Sequence, residues 1–305
     1  MKGVVILGPT ASGKSDLAMR LASEAGGEIV SVDSRQVYRR LDIGTAKPTL
    51  EDRRRIPHHL IDAIEITGAT DAEWFAAKAG KSIDDIVSRG RLPVLAGGSG
   101  LYLRAVLEGF FRIDLAEEDR RRFEETVRGL TGEELHDRLV EVDGESAARI
   151  HPNDRYRTVR ALEIAALTGR PMSVHIREQA GNRSEDGWIK LGLAVERAEL
   201  RKRIGERAVW MYEAGWPDEV DSILRDGFDP LCPGLRTLGY DEMVRHVRGL
   251  AGKDETLSSI VTRTRQYAKR QVTWFRKERG VAWLEPSRDT LEKALKLLDT
   301  GEGNW

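Results

Sequence analysis

Three observations predict an α/β fold, a parallel sheet flanked by helices and interrupted by a helical insertion. The first is the opening stretch. Val4-Val5-Ile6-Leu7 is a continuous apolar run, Gly8-Pro-Thr-Ala-Ser-Gly-Lys14-Ser15 follows it, and Leu17, Ala18, Leu21, Ala22 and Ala25 then recur at helical spacing. Strand, glycine-bounded loop and helix, in that order, are the context of a phosphate-binding loop. The predicted sheet is therefore P-loop NTPase-like. The second observation is that Ile29–Val32, Pro93–Ala96 and Ile189–Val195 are further apolar runs, with helical patterns between them. Uninterrupted apolar strands separated by helices indicate a parallel sheet covered on both faces. The third is a change of texture. From about Asp114 to Gly187 helical patterns dominate and strand signals fade. The predicted organisation is a core of residues 1–113 and 188–305 and a helical insertion domain of residues 114–187.

Taken in order, the phosphate loop comes first. Gly8 and Gly13 permit backbone conformations that a side chain would block. The loop amides and the start of the next helix converge on one point and favour an anion there. Lys14 adds a charge over the terminal phosphate, and the Ser15 hydroxyl is suited to Mg2+. The loop specifies a polyphosphate without specifying a nucleotide. The second strand ends at Asp33, ahead of Ser34-Arg35-Gln36-Val37-Tyr38. Residues 72–88 read as a helix. The Pro93–Ala96 strand closes on Gly97-Gly98-Ser99-Gly100, and a helix over residues 101–108 follows. Sites in parallel sheets lie beyond the carboxyl ends of the strands, so the loops starting at Gly8, Asp33 and Gly97 are expected to meet. Helices of the insertion begin at Glu117-Glu118-Asp119-Arg120, and Asn153 or Asp154 reads as a helix N-cap. Ser184-Glu-Asp-Gly187 is the expected return linker. From Ala198 onward the chain is mostly helical, and Trp283-Leu284 reads as a last short strand.

The bulk numbers exclude several classes. With 305 residues, 32% charged and 40% hydrophobic, the chain is of the soluble globular class. Its 49 Lys plus Arg against 50 Asp plus Glu leave any nucleic-acid surface to a local patch. One cysteine, Cys232, permits no internal disulfide and no cysteine-rich zinc module. No apolar run has transmembrane length, and with strand one starting at once no signal peptide is expected. A cytoplasmic setting without membrane contact is expected.

Four further places could carry chemistry. Asp33, at a strand end facing the phosphate loop, is a magnesium ligand, a general base, or a cap of the next helix. Ser99 is a phosphate donor or a helix N-cap. Lys47 in Asp42-Ile-Gly-Thr-Ala-Lys-Pro48 reads as a solvated loop lysine. His58-His59 point to different sides of either regular element, so packing and hydrogen bonding are expected and no zinc site. Residues 262–279 are the best nucleic-acid candidate. Arg265, Lys269 and Arg276 fall near one helix face, interleaved with Gln266, Tyr267, Arg270, Gln271 and Trp274. Basic groups would meet phosphates and aromatics would stack on bases, or the helix docks Trp274 into the core with its arginines in water. Arg155, Arg157 and Arg160 carry the same two readings.

The motifs occur together in a recognisable order. Gly8–Ser15, Asp33–Tyr38, Asp42–Pro48, Pro57-His-His-Leu-Ile-Asp62, Gly97-Gly-Ser-Gly-Leu-Tyr102, His151-Pro-Asn-Asp154 with Arg160-Ala-Leu-Glu163, Arg236-Thr-Leu-Gly-Tyr240, and Gln266–Gln271 before Trp274-Phe-Arg276 follow one another. The set resembles the bacterial tRNA dimethylallyltransferases, also called tRNA isopentenyltransferases. That resemblance implies a monomeric enzyme that moves a dimethylallyl group from its diphosphate to the exocyclic amine of the adenine 3' of the anticodon. It implies that Gly8, Pro9, Thr10, Ala11, Ser12, Gly13, Lys14 and Ser15 hold the diphosphate with Mg2+, helped by Arg203 and Arg207. It implies catalytic roles for Asp33 as proton acceptor, Ser99 and Lys14. It assigns tRNA contacts to Asp33, Ser34, Arg35, Gln36, Ser99, Arg120, Tyr156, Arg157, Thr158, Val159, Arg160, Arg236, Thr237, Leu238, Gly239, Tyr240, Gln266, Lys269 and Arg270. Serine stands at position 99 where the family usually has threonine. The family seats a flipped adenine of the anticodon loop in a channel, and flipping is physically required because the amine is otherwise stacked. ATP binding at the loop, as in a small-molecule or nucleoside kinase, is the competing reading. So are a prenyltransferase for free adenine nucleotides and an RNA-binding module with a relict phosphate site.

Overall fold

Five consecutive buried residues, Gly3–Leu7, form the first strand, β1. Period-two alternation splits them between two cores. Val5 and Leu7 join one cluster, Val4 and Ile6 the other. The computed structural model describes residues 2–108, 116–180 and 187–300. They fall into two compact units, residues 1–107 with 185–305, and residues 108–184. The expected boundary at 113/114 and most of the 184–187 linker lie outside the described residues.

In the first unit β1 is followed by α1 (Lys14–Glu24), β2 (Gly27–Val32), α2 (Leu50–Arg55), β3 (His58–His59), α3 (Ala72–Ser88), β4 (Leu92–Gly97) and α4 (Gly100–Leu107). The second unit holds α5 (Glu117–Val127), α6 (Gly132–Val142), α7 (Gly144–Arg149), α8 (Arg155–Thr168) and α9 (Met172–Ala180). The chain then returns to the first unit with β5 (Trp188–Leu193), α10 (Arg197–Glu213), α11 (Trp216–Arg225), α12 (Tyr240–Val247), α13 (Lys253–Phe275), β6 (Val281–Leu284) and α14 (Thr290–Thr300).

The strands form one six-stranded sheet in the order β3-β2-β4-β1-β5-β6, and each neighbouring pair is parallel. From β1 the chain runs to β2 and β4 on one side, then to β5 and β6 on the other. Such a reversal leaves a crevice at the carboxyl end of the central strand. On one face Leu17, Ala18 and Leu21 of α1 and Ala294 of α14 pack on Val4, Ile6, Ile29 and Val94. On the other, Phe75, Ala79 and Ile86 of α3 and Tyr102 of α4 share a core with Val5, Leu7, Val30 and Leu95.

β3 is absent from the sequence reading because two histidines carry no strand pattern. His59 pairs with Val30, and its imidazole meets the buried Glu28 carboxylate at 2.8 Å, which also pairs with Arg89. The insertion has its own core of Leu135, Leu139, Ala161 and Leu162. Asp154 is its α8 N-cap, with its carboxylate accepting from Arg157 N at 3.2 Å.

Candidate active site

The phosphate loop owes its shape to a few backbone positions. Gly13 caps α1 in the left-handed region, φ 94°, and Ser12 N donates back to Pro9 O at 3.2 Å. Its amides therefore curl around the start of α1, where the helix macrodipole adds to them. Lys14 and Ser15 leave the loop on the first turn of α1. Ser15 is exposed to the cavity that the loop lines.

The three loops meet as the strand ends require. Ser99 N donates to Val32 O at 3.2 Å, and Ser34 N donates to Ser99 Oγ at 3.1 Å. Asp33 Oδ1 accepts from Arg35 N at 2.8 Å, so the carboxylate caps its own turn while also lining the cavity. No helix directly follows Asp33, so the helix-cap reading is corrected to a turn over residues 34–37, which the same carboxylate closes at the cavity edge. Close approach demands the glycine at 97. A Cβ there would lie 1.9 Å from Val32 O.

These loops open into a cavity of about 1030 Å3. Lys14, Asp33, Arg203, Arg207, Arg236, Gln266 and Arg270 all line it, with an apolar wall that includes Met211, Trp216 and Ile260. A smaller cavity of about 390 Å3 lies beside it, bounded by Ser99, Tyr102, Tyr267 and Trp274 among others. Electrostatics in the larger cavity are strongly perturbed. Burial lowers the Lys14 ammonium to about 8, with Asp33 opposing the shift and Arg207 adding to it. Burial also lowers Arg207, against the pull of Asp33. Arg207 Nη1 reaches Thr10 Oγ1 at 3.4 Å. Two strained cations and one carboxylate share a partly desolvated space, an arrangement that an arriving polyanion relieves.

Helix α13 reaches this site from far along the chain. It runs from Lys253 to Phe275 and carries most of the 262–279 segment. Gln271 Oε1 accepts from Thr10 N at 2.8 Å, and Gln271 Nε2 donates to Gly98 O at 2.9 Å. Tyr267, one turn before it, is pushed up to about 12 by burial and the nearby Asp33. Ser99 and Gln271 lie beside its hydroxyl and oppose that shift. The spacing Tyr267, Gln271, Trp274 is the signal that marks this face. Trp274 packs against Gly100 under the Arg104 guanidinium, 4.8 Å above its ring, so the docked reading of that residue is realised. Lys269 is exposed but borders neither cavity, and Arg265 Nη2 donates to Arg201 O at 3.3 Å.

Other expected residues divide. Arg236, Thr237 and Leu238 reach the larger cavity, whereas Tyr240 is 0% exposed. Its hydroxyl donates to Glu219 Oε1 at 2.6 Å and accepts from Gly44 N at 3.1 Å. Gly239 is buried as the α12 N-cap. Tyr240 and Gly239 therefore move from an RNA surface to the core. In the insertion Tyr156 is 82% exposed but Thr158 is 0% exposed, and Val159 packs on the local core. Helical period places Thr158 and Val159 on the inner face, so they too leave the surface set. Arg155 donates to Leu130 O at 2.6 Å, Arg157 pairs with Asp154 at 2.8 Å, and Arg160 pairs with Glu163. Arg120 sits in the first turns of α5.

Lys47 is buried rather than solvated. Its ammonium donates to Tyr38 O at 2.8 Å and to Asp42 and Asp62 carboxylates at 2.6 Å each. It fixes the loop whose Thr45 and Ala46 carbonyls accept from Gln36 Nε2, at 3.2 and 3.1 Å. Among the described residues no three His, Cys, Asp or Glu side chains form a metal cage, and no helix is long and apolar enough to cross a membrane.

Comparison with known proteins agrees with this geometry. The family model described as IPP transferase matches residues 36–278. A tRNA dimethylallyltransferase of Geobacter sulfurreducens is 44% identical over 285 residues, 93% of this chain and 92% of that one. A tRNA dimethylallyltransferase of an Anaeromyxobacter species is 45% identical over 302 residues, 98% of each chain. The full-length tRNA isopentenylpyrophosphate transferase of Bacillus halodurans has 36% identity and a TM-score of 0.72, with 99% of this chain and 97% of that chain covered. A eukaryotic dimethylallyltransferase acting on tRNA superposes with a TM-score of 0.81 at 28% identity, covering 98% of this chain and 78% of that one.

Proposed function

The chain belongs to the IPP transferase family, and from that premise we propose that it is an enzyme that transfers a dimethylallyl group to tRNA. The donor is dimethylallyl diphosphate. The acceptor is the N6 amine of the adenine 3'-adjacent to the anticodon, and the products are N6-isopentenyladenosine and pyrophosphate. The observation that carries this reading is the convergence of Lys14, Arg207 and Asp33 on one cavity, beside the turn that bears Ser99.

The chemistry follows from that arrangement. The bond between the allylic carbon and the diphosphate oxygen breaks as N6 bonds to that carbon. Negative charge grows on the leaving pyrophosphate, and the loop amides, Lys14 and Arg207 stabilise it. Asp33 takes the amine proton. Because the amine is a very weak acid, the transfer accompanies or follows C–N bond formation. Ser99 Oγ, tied to Ser34 N at 3.1 Å, holds the Asp33 turn against the acceptor side. Arg203 borders the same cavity and adds charge at its phosphate end.

Mg2+ fits the donor set. Ser15 is exposed to the cavity, and one protein oxygen with phosphate oxygens and water is an ordinary Mg2+ environment. The ion would supply further charge neutralisation on the diphosphate. In the first unit we assign tRNA contacts to Arg35, Gln36, Arg236, Gln266 and Arg270; in the second unit, taken by itself, we assign them to Arg120, Tyr156 and Arg157. A cytoplasmic monomer that meets tRNA free in solution is the setting proposed.

The test is purified protein with unmodified tRNA, dimethylallyl diphosphate and Mg2+, followed by nucleoside mass spectrometry. Prenylated adenosine in tRNA is expected. Asp33→Ala should abolish it while tRNA still binds. Phosphorylation from ATP with no prenyl transfer would replace the reading with a kinase, and a preference for AMP over an anticodon stem-loop would move the acceptor.

A further inference from the structure

Gln271 is buried on α13, 5% exposed, far in sequence from either loop that it touches. Its carboxamide spans them. Oε1 accepts from Thr10 N in the phosphate loop at 2.8 Å, and Nε2 donates to Gly98 O at 2.9 Å, one residue before Ser99. One planar group thus ties the donor side of the site to the acceptor side. The fit is tight, since a Cβ on Gly98 would lie 2.1 Å from Gln271 Nε2. The same side chain also stands in the partition between the two cavities, with Arg35, Tyr267 and Arg270. Its bond to Thr10 withdraws one loop amide from anion binding. That amide therefore serves geometry and not charge.

We propose that Gln271 is a positioning residue that sets the distance between the bound diphosphate and the Asp33–Ser99 acceptor side; this rests on the prenyl-transfer reading above. Each substrate has its own contacts elsewhere, so the bridge governs their mutual alignment. Misplacement of reacting groups by about 1 Å costs roughly 100-fold in rate, whereas donor affinity rests chiefly on the loop amides, Lys14 and Arg207.

Three variants perturb the bridge differently. Gln271→Leu removes both hydrogen bonds. Gln271→Glu keeps an acceptor for Thr10 N but, ionised, has no donor for Gly98 O. Gly98→Ala keeps the glutamine but puts a methyl group 2.1 Å from Nε2, so the carboxamide must shift off Gly98 O. Steady-state kinetics would be run with tRNA and dimethylallyl diphosphate, equilibrium binding with each substrate alone, and thermal unfolding on every variant. Folded variants should lose about 10- to 100-fold in kcat, with KM and Kd within about threefold of wild type. A folded Gln271→Leu with kcat within twofold of wild type overturns the proposal, as does a loss confined to donor affinity. Failure of all three variants to fold makes the bridge a folding element and overturns the positioning role. An active wild type with an unimpaired variant rejects the proposal alone; a wild type inactive on tRNA rejects the prenyl-transfer reading and the proposal with it.

Discussion

Lys14 should take up a proton when the donor binds. Burial holds its ammonium at about 8, against an ordinary value of 10.5, and Arg207 on the same cavity adds to the shift. A diphosphate against that nitrogen restores the charged form, because opposite charge at contact outweighs desolvation. With a value near 8, Lys14 is about 90% charged at pH 7 and about a quarter charged at pH 8.5. Binding should then draw in about 0.1 proton at pH 7 and about 0.7 at pH 8.5. If the charged form is the one that binds, Kd rises about threefold from pH 7.5 to 8.5 and about eightfold more by pH 9.5. Calorimetry of dimethylallyl diphosphate with Mg2+, without tRNA, in buffers of different ionisation enthalpy measures both. The donor's terminal phosphate ionises near pH 6, so proton uptake above pH 8 belongs to the protein. Lys14→Arg keeps its charge throughout this range and should show no such uptake. The unliganded protein should respond in the opposite sense. The folded value lies below the unfolded one, so the unfolded chain binds more protons between about pH 8 and 10.5 and stability rises with pH there. Equal proton uptake at pH 7 and 8.5, together with a flat Kd, would refute the electrostatic account of the loop.

Other changes test the fold around the site. Gly97→Ala would place its Cβ 1.9 Å from Val32 O, and should destabilise by about 1–3 kcal/mol or more in denaturant melts. Tyr240→Phe removes a hydroxyl bonded to Glu219 and Gly44 N, and should cost about 1–3 kcal/mol of stability with tRNA affinity unchanged. A loss of tRNA binding at unchanged Tm would instead return Tyr240 to an RNA surface. Glu28 is drawn down to about 2, first by its hydrogen bond to Arg89. Its folded value lies below the unfolded one, so its contribution is complete above the ordinary carboxylate value near 4.5 and fades as pH falls towards 2. Arg89→Ala should therefore move the acid-unfolding midpoint to higher pH, read by circular dichroism.

Much of the sheet was legible because its strands are local apolar runs. The parallel strands at 4–7, 29–32, 93–96 and 189–193 and the helix over 72–88 need only period and punctuation to be seen. β3 was not legible. Two histidines become a strand only because β2 offers an open edge and Glu28 offers a partner. Lys47 shows the same limit. A loop lysine has no local reason for burial, and two aspartates fifteen or fewer residues away supply it only after the loop has folded.

What the sequence determined by itself is the chemistry of the strand ends. Glycine, lysine and serine spacing at residues 8–15 dictates a tight loop whose amides curl around the start of α1, Asp33 dictates a carboxylate beyond β2, and Gly97 dictates a close turn beyond β4. These rest on backbone sterics and on neighbours within a few residues. Only the tertiary structure decided which side chains from far along the chain complete the site. Gln271 and Thr10 are 261 residues apart, and Arg207 and Thr10 are 197 apart. The same decision sent Tyr240, Thr158 and Val159 inward. The physical reason is that hydrogen-bond pairing and burial across such separations depend on how whole helices dock, which no local pattern encodes.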